Sequence, residues 1–241
     1  MVIVLKKQKL FLGLFAAGAV FCICVFLYQT PVLPALSTAQ LPAFNIILDA
    51  GHGGEDGGAV SPDGVRESDL NLQIAYRAEM LLRFCGQHTQ MTRTQDTALD
   101  NGEKTIRKRK TADLKARAAL VAQTPNAVLI SIHQNSLPQS PATHGAQVFW
   151  NPEPGARELA SFLQESLNSL INSDRPKQTR QIPDTVYVMK HCAAPAVLLE
   201  CGFLSNQEET QRLQTKNHQQ KLALSITAGF LRWRAGEELQ Q

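Results

Sequence analysis

The chain has 241 residues, 44% of them hydrophobic and 19% charged, and a formal net charge of +3. A balance so close to neutral gives no reason to expect nucleic acid as a partner. Of five cysteines, Cys22 and Cys24 fall in an apolar run, leaving an odd three, Cys85, Cys192 and Cys201, which imply no disulfide framework and, forming no C-x-x-C pair, argue against a structural thiolate zinc site.

Residues 1–9 hold Lys6, Lys7 and Lys9 and read as a basic cytoplasmic start, and residues 10–28 carry no charge at all. A helix needs roughly 20 apolar residues to cross a bilayer, and lysines ahead of it keep the N-terminus inside. The run exceeds the ~7–15 residue core of a cleaved signal peptide, so residues 10–28 are expected to be an uncleaved transmembrane signal anchor. Cleavage near Ser37 to Ala39 is the alternative, and in either case the rest of the chain works outside the cytoplasm. Residues 29–43 contain Pro31, Pro34 and Pro42 and read as a short spacer. Residues 44–241 are expected to form one domain.

Within that domain residues 44–48 predict a buried strand, followed by a glycine-rich loop over 51–64. Leu70, Ile74, Ala78, Leu81 and Leu82 recur at three- and four-residue spacing and predict a helix over 68–84. A strand is expected at 90–93, then a helix carrying Leu114, Ala118 and Val121 that ends at Pro125 and Asn126, then a strand at 127–132. Residues 146–150 predict a strand, Leu159 to Leu170 a helix, 172–183 a polar loop, and 186–189 and 196–199 two further strands. Asn206 suits an N-cap ahead of Glu208 and Glu209, and an apolar-faced helix over 221–233 closes the domain. Strands alternating with helices give an α/β domain, with a mostly parallel or mixed sheet of about six strands and helices on both faces. Reactive groups in such a sheet collect just beyond the carboxyl ends of the strands.

Seven cations between Lys104 and Arg117 stand against the single acid Asp113. They form either a solvated helix face or a patch facing anionic polymer or lipid headgroups.

Three strand ends stop at residues able to bind a metal or move a proton: His52, His133 and Glu200. A catalytic zinc takes three protein ligands and leaves one position open, and two histidines with a carboxylate are an established set. Glu67, at the mouth of a predicted helix, can supply the carboxylate. Glu200 directly follows Val197, Leu198 and Leu199, where a charge is costly to bury unless it is paired or functional, so it is the candidate proton carrier.

The strings I-I-L-D-A-G-H-G-G-E-D-G-G-A, R-E-S-D-L-N-L, S-I-H-Q-N-S and E-C-G-F-L-S-N occur in this order, and with them the chain resembles the zinc N-acetylmuramoyl-L-alanine amidases of the type 3 family over residues 45–233. The resemblance implies one Zn2+ held by His52, Glu67 and His133, with Glu200 as the catalytic glutamate. It further implies hydrolysis of the amide joining the lactyl group of N-acetylmuramic acid to the stem-peptide L-alanine, so that the substrate is peptidoglycan. Ala50 and Ser68 depart from the family's commoner proline and lysine, at positions that supply no chemistry. One N-terminal membrane segment on a bare catalytic domain, with T-I-R-K-R-K-T-A-D-L-K-A-R before the His133 strand, resembles the spore-cortex branch, whose members act in muramic lactam formation. The domain is then expected to face the cell wall from the membrane. Any protein activator is left open.

Asn135 and Arg93, close to strand ends, are candidates to hold substrate amides or a stem-peptide carboxylate. His144 is weighed as a loop residue near the cleft, and His88, His191 and His218 have no motif around them. Cys201 beside Glu200 lacks the histidine and asparagine order of a thiol nucleophile. An exported zinc carboxypeptidase and a catalytically inactive wall-binding protein are the competing readings, and manganese or cobalt can replace zinc in vitro.

Overall fold

Residues 44–99 and 102–236 are described by the structure, a computed structural model. The expected membrane segment and spacer lie outside the described residues, and among the described ones no helix is long and apolar enough to cross a membrane.

Strands β1 (Asn45–Ala50), β2 (His88–Met91), β3 (Ala127–Asn135), β4 (Gln147–Trp150), β5 (Arg180–Gln181) and β6 (Ala196–Phe203) pair in the order β2-β1-β3-β6-β4-β5. The first four in that order are parallel neighbours, β4 runs antiparallel to β6, and β5 runs parallel to β4. The sheet is therefore mixed, as expected.

Side chains alternate across a strand, so each strand contributes one row to either face. One face gathers Ile46, Leu48 and Ala50 of β1, Val128, Ile130 and Ile132 of β3, and Val197, Leu199 and Cys201 of β6, all buried. Helices α1 (Glu67–Phe84), α3 (Ala156–Leu170) and α6 (Lys216–Ala235) supply Leu70, Ile74, Leu82, Leu159, Leu163, Leu222, Ile226 and Phe230 to this core. The other face holds a smaller cluster of Ile47, Leu129 and Leu198 under Val121 of α2 (Ile106–Gln123) and Val188 and Met189 of α4 (Tyr187–Lys190). The last helix to be placed, α5 (Gln207–Leu213), starts at the Asn206 cap, whose side chain accepts from Glu209 N at 3.0 Å.

Several elements differ from the sequence expectations. The expected strand at 186–189 is instead the helical turn α4 with Val186 at its N-cap: Lys190 N bonds Val186 O at 3.0 Å, and adjacent Val188 and Met189 are both buried, which a half-covered strand would not allow. The 172–183 loop contains β5. Thr215, whose hydroxyl accepts from His218 N at 3.2 Å, starts α6 well before residue 221. Strands β3 and β6 run past 132 and 199, so His133 and Glu200 lie inside the strands, paired in register with each other.

Candidate metal centre

The apolar rows of the smaller face turn polar toward the carboxyl ends of their strands. Ile47 gives way to Asp49, Leu129 to Ser131 and then His133, and Leu198 to Glu200. His133 and Glu200 thus share a face by strand parity. His52 follows β1 on the loop beyond its end, and Glu67 is the first residue of α1.

These segments bring three of the expected residues together. His133 Nδ1 lies 2.8 Å from Glu67 Oε1, and His52 Nε2 lies 3.4 Å from the same oxygen. One ligand atom from each of His52, Glu67 and His133 falls within 4.8 Å of the others, and the two imidazoles meet edge to face with centroids 5.0 Å apart. The space around them is kept by glycine: a Cβ on Gly58 would stand 2.4 Å from Glu67 Oε2, and one on Gly51 would stand 2.3 Å from His133 Cε1. Two imidazole nitrogens and a carboxylate oxygen converging in a glycine cradle are a donor set that fits zinc.

Two of the three, Glu67 and His52, are oriented by further partners. Glu67 is 3% exposed; its Oε1 accepts from Gln134 N at 3.0 Å and Asn71 Nδ2 at 3.3 Å, and its Oε2 from Ala59 N at 2.8 Å. His52 Nδ1 faces Asp56 Oδ2 at 3.0 Å, which leaves Nε2 as the atom turned to Glu67. Lys110 Nζ sits 3.0 Å from that Asp56 oxygen. Burial opposes charge on His52, but the Asp56 and Glu67 carboxylates outweigh it and push its pKa up to about 9. Burial likewise opposes the Glu67 charge, and the His133 and His52 rings overcome it and hold the carboxyl far below its ordinary range.

Glu200 has the opposite balance. Burial raises its pKa and the Glu67 charge adds to this, while His133 and His52 act against, leaving it pushed up to about 7. Its Oε2 is buried without a hydrogen-bond partner. A carboxyl with a pKa near neutrality and an unengaged oxygen can both accept and deliver a proton. A cleft of about 220 Å3 opens beside the triad, with His52, His133, Asp56, Lys110, Leu114 and Tyr187 among its lining.

Other expectations fare differently. Arg93 is corrected: it is 3% exposed, and its guanidinium is spent on the carbonyls of Ala50, Gly51, Ser68 and Gln95, so it cannot meet a stem-peptide carboxylate. Asn135 is half-buried at the end of β3, its amide oxygen accepting from Ser136 N at 2.7 Å. His144 Nε2 faces Asp174 Oδ2 at 3.4 Å. Cys201 is fully buried in the larger core, on the face opposite Glu200, and burial pushes its thiol well above the ordinary range.

The basic stretch is also resolved: Arg109 pairs with Glu55, Lys110 with Asp56, and Arg117 is 2% exposed between Asp49 and Asp113. Sequence reasoning assigned no role to Asp56 or Arg117. For Arg117 a signal existed, since Asp113, Arg117 and Val121 recur every four residues on the buried stripe of α2.

Residues 46–232 match the family model of N-acetylmuramoyl-L-alanine amidases. The germination-specific N-acetylmuramoyl-L-alanine amidase of Bacillus subtilis is 34% identical over 94% of this chain and 96% of its own length. The CwlD amidase of Clostridioides difficile, solved in complex with the GerS lipoprotein, superposes with a TM-score of 0.77 at 32% identity, covering 80% of this chain and all of that one. An N-acetylmuramoyl-L-alanine amidase from Clostridium difficile 630 has a TM-score of 0.69 at 29% identity, covering 81% of this chain and 99% of that one.

Proposed function

Since the chain belongs to the N-acetylmuramoyl-L-alanine amidase family, we propose that it cleaves peptidoglycan at the amide between the lactyl group of N-acetylmuramic acid and the L-alanine of the stem peptide, with His52, Glu67 and His133 holding one zinc ion and Glu200 moving the proton. The observation that carries this reading is the convergence of two imidazoles and a carboxylate within 4.8 Å, next to a glutamate whose pKa burial lifts to about 7.

Bound zinc supplies Lewis acidity toward the scissile carbonyl and toward water. The chain's own residues do the rest. Asp56, facing Nδ1 of His52 at 3.0 Å, would hold the ring proton on that nitrogen when Nε2 turns to the metal. Gln134 N and Ala59 N fix the two Glu67 oxygens in place. Glu200 takes a proton from the attacking water at its carboxylate and returns it to the leaving L-alanine nitrogen, which completes hydrolysis with the glutamate regenerated.

The family places the work outside the cytoplasm, on the cell wall. The uncharged run over residues 10–28 supports tethering of the domain to the membrane. The similarity to the germination-specific enzyme of B. subtilis favours a role in the spore cortex, and the C. difficile enzyme found with GerS favours a lipoprotein partner.

The test is to incubate the full chain in detergent with peptidoglycan, with and without a chelator and beside Glu200→Gln, and to identify the released products by mass spectrometry. Intact stem peptides with a free L-alanine amine, made only by the metal-loaded wild type, are expected. Shortened stem peptides would make the enzyme a carboxypeptidase. Zinc binding without any product would leave only a wall-binding role.

A further inference from the structure

Behind the metal centre the carbonyls of three consecutive residues, Ala50, Gly51 and His52, turn inward onto two buried guanidinium groups. Arg117 donates from Nη1 to Ala50 O at 2.9 Å and from Nη2 to His52 O at 2.7 Å. Arg93 donates from Nε to Ala50 O at 2.9 Å and from Nη2 to Gly51 O at 3.2 Å. The same Nη2 reaches Ser68 O at 2.7 Å, in the first turn of the helix that begins with Glu67. Arg93 therefore ties the His52 loop to the helix that presents Glu67, and Arg117 ties that loop to β1 and α2 through Asp49 and Asp113.

The tie has something to hold. His52 stands at φ +61°, in the left-handed region that residues with a Cβ avoid. Such a conformation persists only where the surroundings over-determine it. Here the residue's own carbonyl and the two before it are each fixed from the buried side, Gly51 O additionally by Asn71 Nδ2 at 3.1 Å. The left-handed turn aims the His52 ring back across the strand ends toward Glu67.

We propose that Arg93 and Arg117 are positioning residues of the metal centre, a two-arginine clamp on the Ala50–His52 backbone that sets His52 Nε2 against Glu67 and His133. This rests on His52 being a metal ligand. The two members differ in what they leave behind. Arg117 is compensated by two buried carboxylates, whereas each hydrogen bond of Arg93 found in the structure ends on a backbone carbonyl, so replacing Arg93 strands no buried anion. A planar fork serves two or three carbonyls at once, which an ammonium on a flexible stem cannot do, so lysine is not an equivalent.

The experiment measures zinc affinity by competition with a chelating dye on the full chain in detergent, together with the melting temperature of the metal-free form. The wild type is compared with Arg93→Lys, Arg93→Met, Arg117→Lys, His52→Ala and Leu163→Ala, a core variant remote from the centre. The arginine variants are expected to lose ~10- to 100-fold in zinc affinity, as replacement of groups that orient metal ligands generally does. Leu163→Ala should lower the melting temperature and leave the affinity unchanged, which separates positioning from general loosening. If Arg117→Lys does not fold, Arg93→Lys carries the test. Folded arginine variants that bind zinc as the wild type does, while His52→Ala does not, would overturn the clamp. If His52→Ala also binds as the wild type, the ligand assignment itself fails, and the clamp with it.

Discussion

The two faces of the sheet are built from the same strands and end differently. Under α1, α3 and α6 the rows Ile46-Leu48-Ala50, Val128-Ile130-Ile132 and Val197-Leu199-Cys201 stay apolar to the carboxyl ends. Under α2 and α4 the rows start with Ile47, Leu129 and Leu198 and finish with Asp49, Ser131 and His133, and Glu200. Because neighbouring residues point to opposite faces, one strand supplies packing and chemistry together, each on its own side. Asp49, Ser131 and His133 are tolerable there because they are paired, whereas Glu200 keeps its Oε2 without a hydrogen-bond partner. Asp49 accepts from Ser131 Oγ at 2.6 Å, Thr92 Oγ1 at 2.9 Å and Arg117, and despite burial the Arg117 charge and these bonds hold its pKa near 2.

If the division is real, a change on one face should move activity and a change on the other stability. The largest effect is expected from Glu200→Gln, which should lower kcat by ~10^2- to 10^4-fold with zinc content and melting temperature retained. Loss of zinc from this variant would break the comparison, since it would make Glu200 part of the metal set. Phe230, fully buried against the apolar face, should behave in reverse. Phe230→Ala is expected to cost ~3–5 kcal/mol in denaturant unfolding, while the fraction still folded keeps its kcat.

A pH series on the metal-free protein sharpens the same contrast. Between pH 4.5 and about 7 the folded chain retains a proton on Glu200 that the unfolded chain releases. The stabilisation from that proton is complete below pH 4.5 and is lost as pH rises through about 7, by an amount of order 3 kcal/mol. Wild type should therefore weaken relative to Glu200→Gln across this window, and parallel curves would contradict the burial of the carboxyl. Least of all, Thr215→Ala should cost ~1 kcal/mol by removing the cap of α6, with no change in zinc affinity.

The apolar face was legible in the sequence because its signal is periodic. Leu70, Ile74, Ala78 and Leu82 on α1 repeat at helical spacing, and β1 and β3 show as short apolar runs because both their faces are covered. The candidates His52, His133 and Glu200 stood out for another reason: each is a polar residue placed where an apolar strand or a glycine loop gives it no local purpose, whereas Glu67, in the first turn of a helix, stood out only as the carboxylate such a set needs. Arg93 was misread and Arg117 given no role because a buried cation's partners are distant in sequence, even where, as on α2, the helical stripe marks the position. Those of Arg117 lie up to 68 residues away, on β1. The helical turn at Tyr187–Lys190 was taken for a strand since Val186, Tyr187 and Val188 favour strands by type, and the deciding fact, that β4 already occupies the β6 edge, is tertiary.

Cys201 has a consequence for following the molecule in time. It and Cys192 are both shut off from solvent, but Cys201 belongs to the larger core and Cys192 to the smaller one beneath α4. A thiol-alkylating reagent can reach either sulfur only while its surroundings are open, so the labelling rate of each cysteine, resolved by peptide mass spectrometry, is a clock for its own side of the sheet. Equal rates mean that the molecule breathes as one unit. Faster labelling at Cys192 means that the side carrying the candidate metal centre opens while the apolar side stays shut, which would let a bulky polymer be admitted and released without risk to the fold.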